Sequence, residues 1–311
     1  MTVEAPPAIG LMADSRDGSV ASLVPVLAEI AALGADAAEI TISGIDVVAG
    51  GRILPAAAAE LVSATRQFPL RYSVHGLVGS NFMDAAHLAA QMRVARAYLE
   101  LCDRIGARVL VHHSGALVSA DPAAIAAAEA RETEALAELA DAASRYGVRI
   151  ALENIFSTKP GEHRRTPARV AELVCAIDHP SLVALIDVSH AYIESTRLGL
   201  DPRAELQAMA PVTGHVHLHD SFGQPQTTWD LYESSEATAL GQGDLHLPLG
   251  WGDIPFADVL AELGFLPGTM LILELPLRYR AEWPASLAAA RHLAAGRAER
   301  LLAGDPVPSA P

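Results

Sequence analysis

The run SLVALID at residues 181–187, closing on an aspartate and followed three residues later by His190, sets the pattern from which the fold is read. Its aliphatic centre has strand length, and it stops on a group that binds divalent cations. Five other runs do the same: LRYSVH at 70–75, RVLVHH at 108–113, VRIALE at 148–153, GHVHLH at 214–219 and MLILE at 270–274. A single histidine or acid at a strand end means little, because most such groups lie on the surface or are satisfied in the core. Six strand ends that agree predict a metal site.

Working outward, two earlier β-like runs near 8–12 and 37–42 bring the count to eight, with strands expected at 70–75, 108–113, 148–153, 182–187, 213–219 and 269–274. Between them lie alanine-rich amphipathic stretches such as VASLVPVLAEIAALG, LAAQMRVARAYLELCDRIG and FADVLAELG, several closing on a C-cap glycine. Alternating βα units imply parallel strands with right-handed crossovers, and eight of them in 311 residues predict an α/β fold, a closed (β/α)8 TIM barrel. A doubly wound open sheet is the alternative. Convergence favours the barrel, because only closure lets strands three to eight bring their ends to one C-terminal mouth, where the metal site then sits. The barrel domain is expected over 1–303 and a disordered tail, GDPVPSAP, over 304–311; the polar segment 221–243 is expected to be a loop over the mouth.

The composition narrows the function. A hydrophobic content of 51% supports a large core, and a net charge of -15 with a single lysine, Lys159, disfavours nucleic acid as a partner. Cys102 and Cys175 give no disulfide framework and are expected to be buried, reduced thiols. MTVEAPPAIG has no basic leader region, and no apolar run reaches the roughly 20 residues of a membrane span. An unprocessed cytoplasmic chain that avoids membranes is the expectation, with self-association through exterior helices left open.

Side chains alternate across a strand, so His112 and His113 point to opposite sides and only one of them faces the mouth. His215, His217 and His219 share one face, and one of the three sits at the depth of a given metal. Asp187 and His190, three apart where the strand turns into a helix, can serve neighbouring ions, and Asp244 and His246 are spaced to reach the same one. No GxSxG elbow or phosphate-binding glycine loop is present.

The motifs VHG, HHSG, LEN, IDVSHA, HVHLHD, GDLHLPLGWGDI and LELP resemble the xylose isomerase-like barrel superfamily, which holds sugar-phosphate isomerases and epimerases together with apurinic-site endonucleases. The resemblance runs from about residue 70 to 276. It implies a first metal on Glu153, Asp187, His217 and Glu274, with His75, His113, His190, Asp244 and His246 able to complete a trinuclear set. Glu39 resembles a glutamate of the isomerase branch, although an exposed structural acid is an equal reading. Two features oppose DNA repair: the acidic balance, and Val78 and Gly79 where the endonuclease branch resembles a duplex-penetrating pair. The arginine that follows the seventh-strand histidine in ketose epimerases is replaced by Phe222 and Gly223. Candidate hydroxyl or anion binders are Asn154, His219, Trp251 and Arg278, with Arg164 and Arg165.

These readings lead to an enzyme that uses one to three divalent ions, of zinc, manganese, magnesium or cobalt, to isomerise or epimerise a carbohydrate through an enediolate. Glu153 and Glu274 are the expected proton carriers. The alternatives are a multinuclear phosphoesterase, a keto-sugar lyase or dehydratase, and a binding scaffold that has lost catalysis.

Overall fold

A computed structural model of the chain describes residues 7–15, 17–228 and 231–303, so the expected tail at 304–311 lies outside the described residues. Eight parallel strands make the barrel: β1 (Ala8–Ala13), β2 (Ala37–Thr41), β3 (Arg71–His75), β4 (Val109–His113), β5 (Arg149–Glu153), β6 (Leu182–Asp187), β7 (Thr213–Leu218) and β8 (Met270–Leu273). They are arranged in chain order, and β1 pairs with both β2 and β8. That second pairing closes the sheet and rules out the open doubly wound alternative. Gly10 is required at this closure, because a Cβ there would lie 2.5 Å from the Ala37 carbonyl oxygen on β2.

Helices α1 (Leu23–Ala32), α2 (Pro55–Thr65), α3 (Leu88–Ile105), α4 (Pro122–Ser144), α5 (Pro167–Ile177), α6 (Val188–Leu198), α7 (Pro202–Met209), α8 (Ser234–Leu240), α9 (Phe256–Glu262) and α10 (Trp283–Ala303) follow the strands. Their starts are written in the sequence. Proline opens α4, α5 and α7, where its missing N–H is not needed, and Asp121, Thr166 and Asp201 accept from backbone N–H groups of the first turns. Gly106, at φ 77°, ends α3 in the left-handed conformation.

The strand alternation divides the interior into two regions. Leu11, Ile40, Val74, Leu152, Ile186 and Leu273 point outward into one large core shared with the helices. Ala37, Val111, Ala151, Leu185 and Ile272 point inward and form a separate apolar plug inside the barrel. Two positions beyond each of these plug residues, on the same strand face, stand Glu39, His113, Glu153, Asp187 and Glu274. The barrel interior therefore changes from dry to polar over one pleat, at the C-terminal end of the strands.

Three details differ from the expectations. The segment 221–243 is not all loop, since it carries the short helix α8, whose Ala237 and Thr238 line the cavity at the mouth. A small antiparallel pair, Ala116–Val118 with Glu162–Arg164, stands beside the mouth; nothing in its alternation had marked it. Cys102 is buried, but Cys175 is exposed because it falls on the outer face of α5. Among the described residues no helix is long and apolar enough to cross a membrane.

Candidate metal centre

The C-terminal mouth gathers every nitrogen and oxygen donor singled out from the strand ends. Four groups have donor atoms within 4.8 Å of one another: Glu153, Asp187, His217 and Glu274; His190, His219, Asp244 and His246; His75, His113 and Glu153; and Glu39, His75, His217 and Glu274. The nine positions nominated from the sequence all fall within these groups. Two members had not been assigned as metal donors, Glu39 and His219.

The deep quartet is built by the strands themselves. Asp187 ends β6 opposite His217 of β7, while Glu153 ends β5 and Glu274 follows β8. All four residues are buried. His217 Nδ1 lies 3.5 Å from Glu153 Oε1 and 3.4 Å from Glu274 Oε2, so the imidazole stands between the two glutamates. Asp187 also caps α6, accepting from the His190 N–H at 2.7 Å, and its other oxygen lies 2.9 Å from His219 Nε2. Asn154 braces this strand end by bonding both backbone groups of Asp187, at 3.0 and 2.9 Å.

The outer quartet depends on a loop. His246 has φ 46°, a left-handed conformation that costs a non-glycine residue energy and is held by its surroundings. Its Nδ1 lies 2.8 Å from the Glu274 carbonyl oxygen, which fixes the proton there and leaves Nε2, 2.9 Å from Asp244 Oδ2, facing the group. His190 is oriented in the same way, with Nδ1 3.1 Å from the Asn154 carbonyl oxygen and Nε2 3.4 Å from Asp244 Oδ2. Asp220 braces the loop: its backbone bonds Leu247 in both directions, and its carboxylate accepts from the Gly250 and Gly252 N–H groups.

His113 faces inward, 3.4 Å from both His75 Nε2 and Glu153 Oε2, whereas His112 packs on Phe82 at a ring separation of 4.1 Å. Of the two readings of Glu39, the exposed structural acid fails, because the residue is fully buried. Its Oε2 accepts from Ser73 and lies 2.8 Å from His215 Nε2, and its Oε1 is 2.9 Å from His217 Nε2. The signal that could have found it is its place in the strand, two residues beyond the plug residue Ala37.

The donors fit a cation. Both oxygens of Glu153, His217 Nδ1, His190 Nε2 and Asp244 Oδ1 are buried without a hydrogen-bond partner of ordinary geometry, a costly arrangement unless something positive satisfies them. Burial pushes the Glu153 carboxyl up, but His113 and His217 outweigh it and hold the group well below the usual carboxylate range. Asp244 behaves likewise: burial is opposed by His246, His190 and His219, and its pKa lies well below the ordinary value. Burial pushes His246 down, yet Asp244 raises it to about 10. His113, by contrast, is pushed down to about 3 by burial that Glu153 only partly offsets. The surroundings thus favour the anionic forms of Glu153 and Asp244, which suits a cation among them.

A cavity of about 880 Å³ opens over the donors and is lined by His75, His113, Glu153, Asp244, His246 and Glu274, with Arg278 also on its wall. Asn154, His219 and Trp251 do not line it. Trp251 is half exposed against the Tyr279 ring. Arg164 and Arg165 are committed to structure and do not face the mouth: Arg165 is buried on Glu132 and Glu129, and Arg164 bonds Glu162 and the Ser114 carbonyl.

An eight-stranded parallel barrel whose mouth gathers carboxylates and imidazoles within ligating reach of one another is a (β/α)8 barrel with candidate metal-ligand groups. The chain is a member of the xylose isomerase-like TIM barrel family, whose family model matches residues 27–296. It is 27% identical to an uncharacterized protein of Methanocaldococcus jannaschii over 201 residues, 62% of this chain and 61% of that protein, so the chain spans less than two thirds of that relative. In structure it resembles a D-tagatose 3-epimerase-like protein, at a TM-score of 0.71 and 21% identity over 94% of this chain and 99% of the other. It also resembles a protein of Thermus thermophilus soaked with ZnCl2, at a TM-score of 0.65 and 23% identity over 93% and 98%.

Proposed function

We propose that this protein is a divalent-metal-dependent isomerase or epimerase of a polyhydroxylated carbohydrate. The observation that carries the reading is the deep quartet, in which two glutamates that line a cavity large enough for a sugar flank one buried imidazole behind its wall. Glu153, Asp187, His217 and Glu274 would hold the ion, with His75, His113, His190, Asp244 and His246 available for one or two more. When bound, a divalent ion there supplies Lewis acidity toward a carbonyl and the hydroxyl beside it.

The chain's own groups account for the rest. Glu153 and Glu274 reach the cavity from adjacent sides of His217, so one removes a carbon-bound proton and the other returns one. The electron pair left by the first transfer moves onto the neighbouring carbonyl oxygen of the substrate, giving an enediolate, and returns to carbon when the second proton arrives. The fixed walls of β5 and β8 keep both carboxylates in place, and Arg278 on the rim, its guanidinium 4.7 Å over the Tyr279 ring, can meet a substrate hydroxyl. Similarity to a D-tagatose 3-epimerase-like protein supports the choice of substrate class.

A second reading is a multinuclear phosphoesterase, favoured by the separate outer quartet and by the His75, His113 and Glu153 group. Turnover of a panel of ketoses in D2O separates the readings. Deuterium incorporated at a hydroxyl-bearing carbon, with metal present and one ion sufficient, is the expected result. Phosphoester hydrolysis without ketose exchange would favour the second reading, and loss of water from the sugar would assign a lyase.

A further inference from the structure

We infer that Glu39 is a positioning residue for His217, holding the ring so that Nδ1 faces the deep quartet. The inference rests on the reading that this quartet binds a cation. A carboxylate only accepts, so the ring nitrogen that faces Glu39 must carry a proton. That nitrogen is Nε2, 2.9 Å from Glu39 Oε1 at ion-pair distance, and neither atom has a hydrogen-bond partner elsewhere that would compete for it. The opposite nitrogen, Nδ1, is the one near Glu153 and Glu274. Metal-binding histidines are commonly fixed in this way by a carboxylate on their second nitrogen, which sets both ring orientation and basicity.

Glu39 is itself gripped from two sides. Ser73, on β3, donates to Oε2 at 2.8 Å, and His215 Nε2, one layer below His217 on β7, lies 2.8 Å from the same oxygen. All four residues are fully buried, and three strands contribute to the chain of contacts. A buried carboxylate with no path to solvent is costly unless its neighbours use it. Glu39 does not line the cavity, so its role passes through His217 and not through contact with substrate.

The test measures zinc affinity of the full-length protein by competition with a chelator, together with histidine 15N spectra of the zinc-loaded form. Glu39→Ala is expected to weaken the deep site about tenfold to a hundredfold, to leave the outer site unchanged, and to abolish the hydrogen-bonded Nε2–H signal of His217. Glu39→Gln, which keeps one acceptor oxygen, should recover part of the affinity. Unchanged affinity and an unchanged His217 signal in Glu39→Ala overturn the inference, as does an equal loss at both sites. If that variant does not fold, Ser73→Ala removes one grip on Glu39 without uncovering a charge. The same changes at smaller size are expected there, and wild-type values overturn the inference. Failure of the parent protein to bind zinc, manganese, magnesium or cobalt at all would instead defeat the reading of the quartet.

Discussion

The deep and outer quartets use the same chemistry but are held in place by different means. Glu153, Asp187, His217 and Glu274 stand on or just past barrel strands whose register is fixed by parallel ladders on both sides, and the whole group is buried. Asp244 and His246 belong to a loop, with side chains 21% and 28% exposed; His246 is positioned by one hydrogen bond to the Glu274 carbonyl, Asp244 by its contact with His246, and the loop by the Asp220 brace. The strands bring their donors together as a consequence of folding. The loop must be ordered separately, and part of the outer group's binding energy is consumed in ordering it. On the proposed reading, the deep quartet would be the pre-organised, tighter site and the outer one an adjustable site that a variant should empty alone.

The largest expected effect breaks the comparison at its catalytic end. Glu153→Gln or Glu274→Gln should lower turnover by a factor of about 10² to 10⁴, the size of a lost acid–base group, while metal analysis still finds ion in the protein. Turnover within a few-fold of wild type would remove the proton-carrier role. On the outer side, His246→Ala should cost about a hundredfold or more in the affinity of one ion and leave the deep ion bound, read as a fall of one in the metal count after dialysis. Loss of both ions together would show that the quartets are a single unit.

A third effect concerns stability. Among the described residues, five buried or part-buried carboxylates, Glu39, Glu153, Asp187, Asp244 and Glu274, share one end of the barrel, and an ion that binds only the folded state stabilises it by mass action. Metal at about 100 times its Kd contributes about 2.7 kcal/mol, which corresponds to a rise of about 4 °C in Tm for a chain of 311 residues. Calorimetry with and without chelator measures it. In Asp244→Asn most of the shift should remain, because the deep site dominates.

How much of this could be read from the sequence follows from the same contrast. Strand ends were legible because the apolar runs stop on their donors, and period-two alternation separates His113 from His112 without coordinates. The spacing of Asp244 and His246 was legible as a motif, but not the left-handed backbone at His246 or the Asp220 brace, since these are properties of a folded loop. Glu39 was only half legible: beside its resemblance to an isomerase-branch glutamate, an acid after AA in a short strand reads equally as a surface group until the plug beneath it is seen. Asn154 was nominated for substrate and instead bonds the backbone of Asp187, a long-range pairing with no local signature. The arginines at 164 and 165 were misleading for a similar reason: Arg165 finds its partners Glu129 and Glu132 on α4, far away in sequence, and Arg164 reaches the Ser114 carbonyl.

The smallest effect sharpens the contrast between two adjacent histidines. His112 lies outside all four donor groups, and burial, with His75 adding to it, pushes its pKa down to about 4 from an ordinary value of 6.5. Because the folded value is below the unfolded one, the unfolded chain takes up a proton first as pH falls. The stability held by neutral His112 is complete above about 6.5 and is lost progressively down to about 4. At pH 5 the loss amounts to about 2 kcal/mol, since each unit between the two states is worth about 1.4 kcal/mol. Urea unfolding of the chelated protein should therefore show a shallower acid decline in His112→Gln than in wild type, by about one proton's worth of slope. An identical decline in both would place the proton uptake elsewhere in the mouth. His113, whose pKa is about 3 beside the donors, would then carry the acid sensitivity, and the packing of His112 on Phe82 would be no more than a filled space.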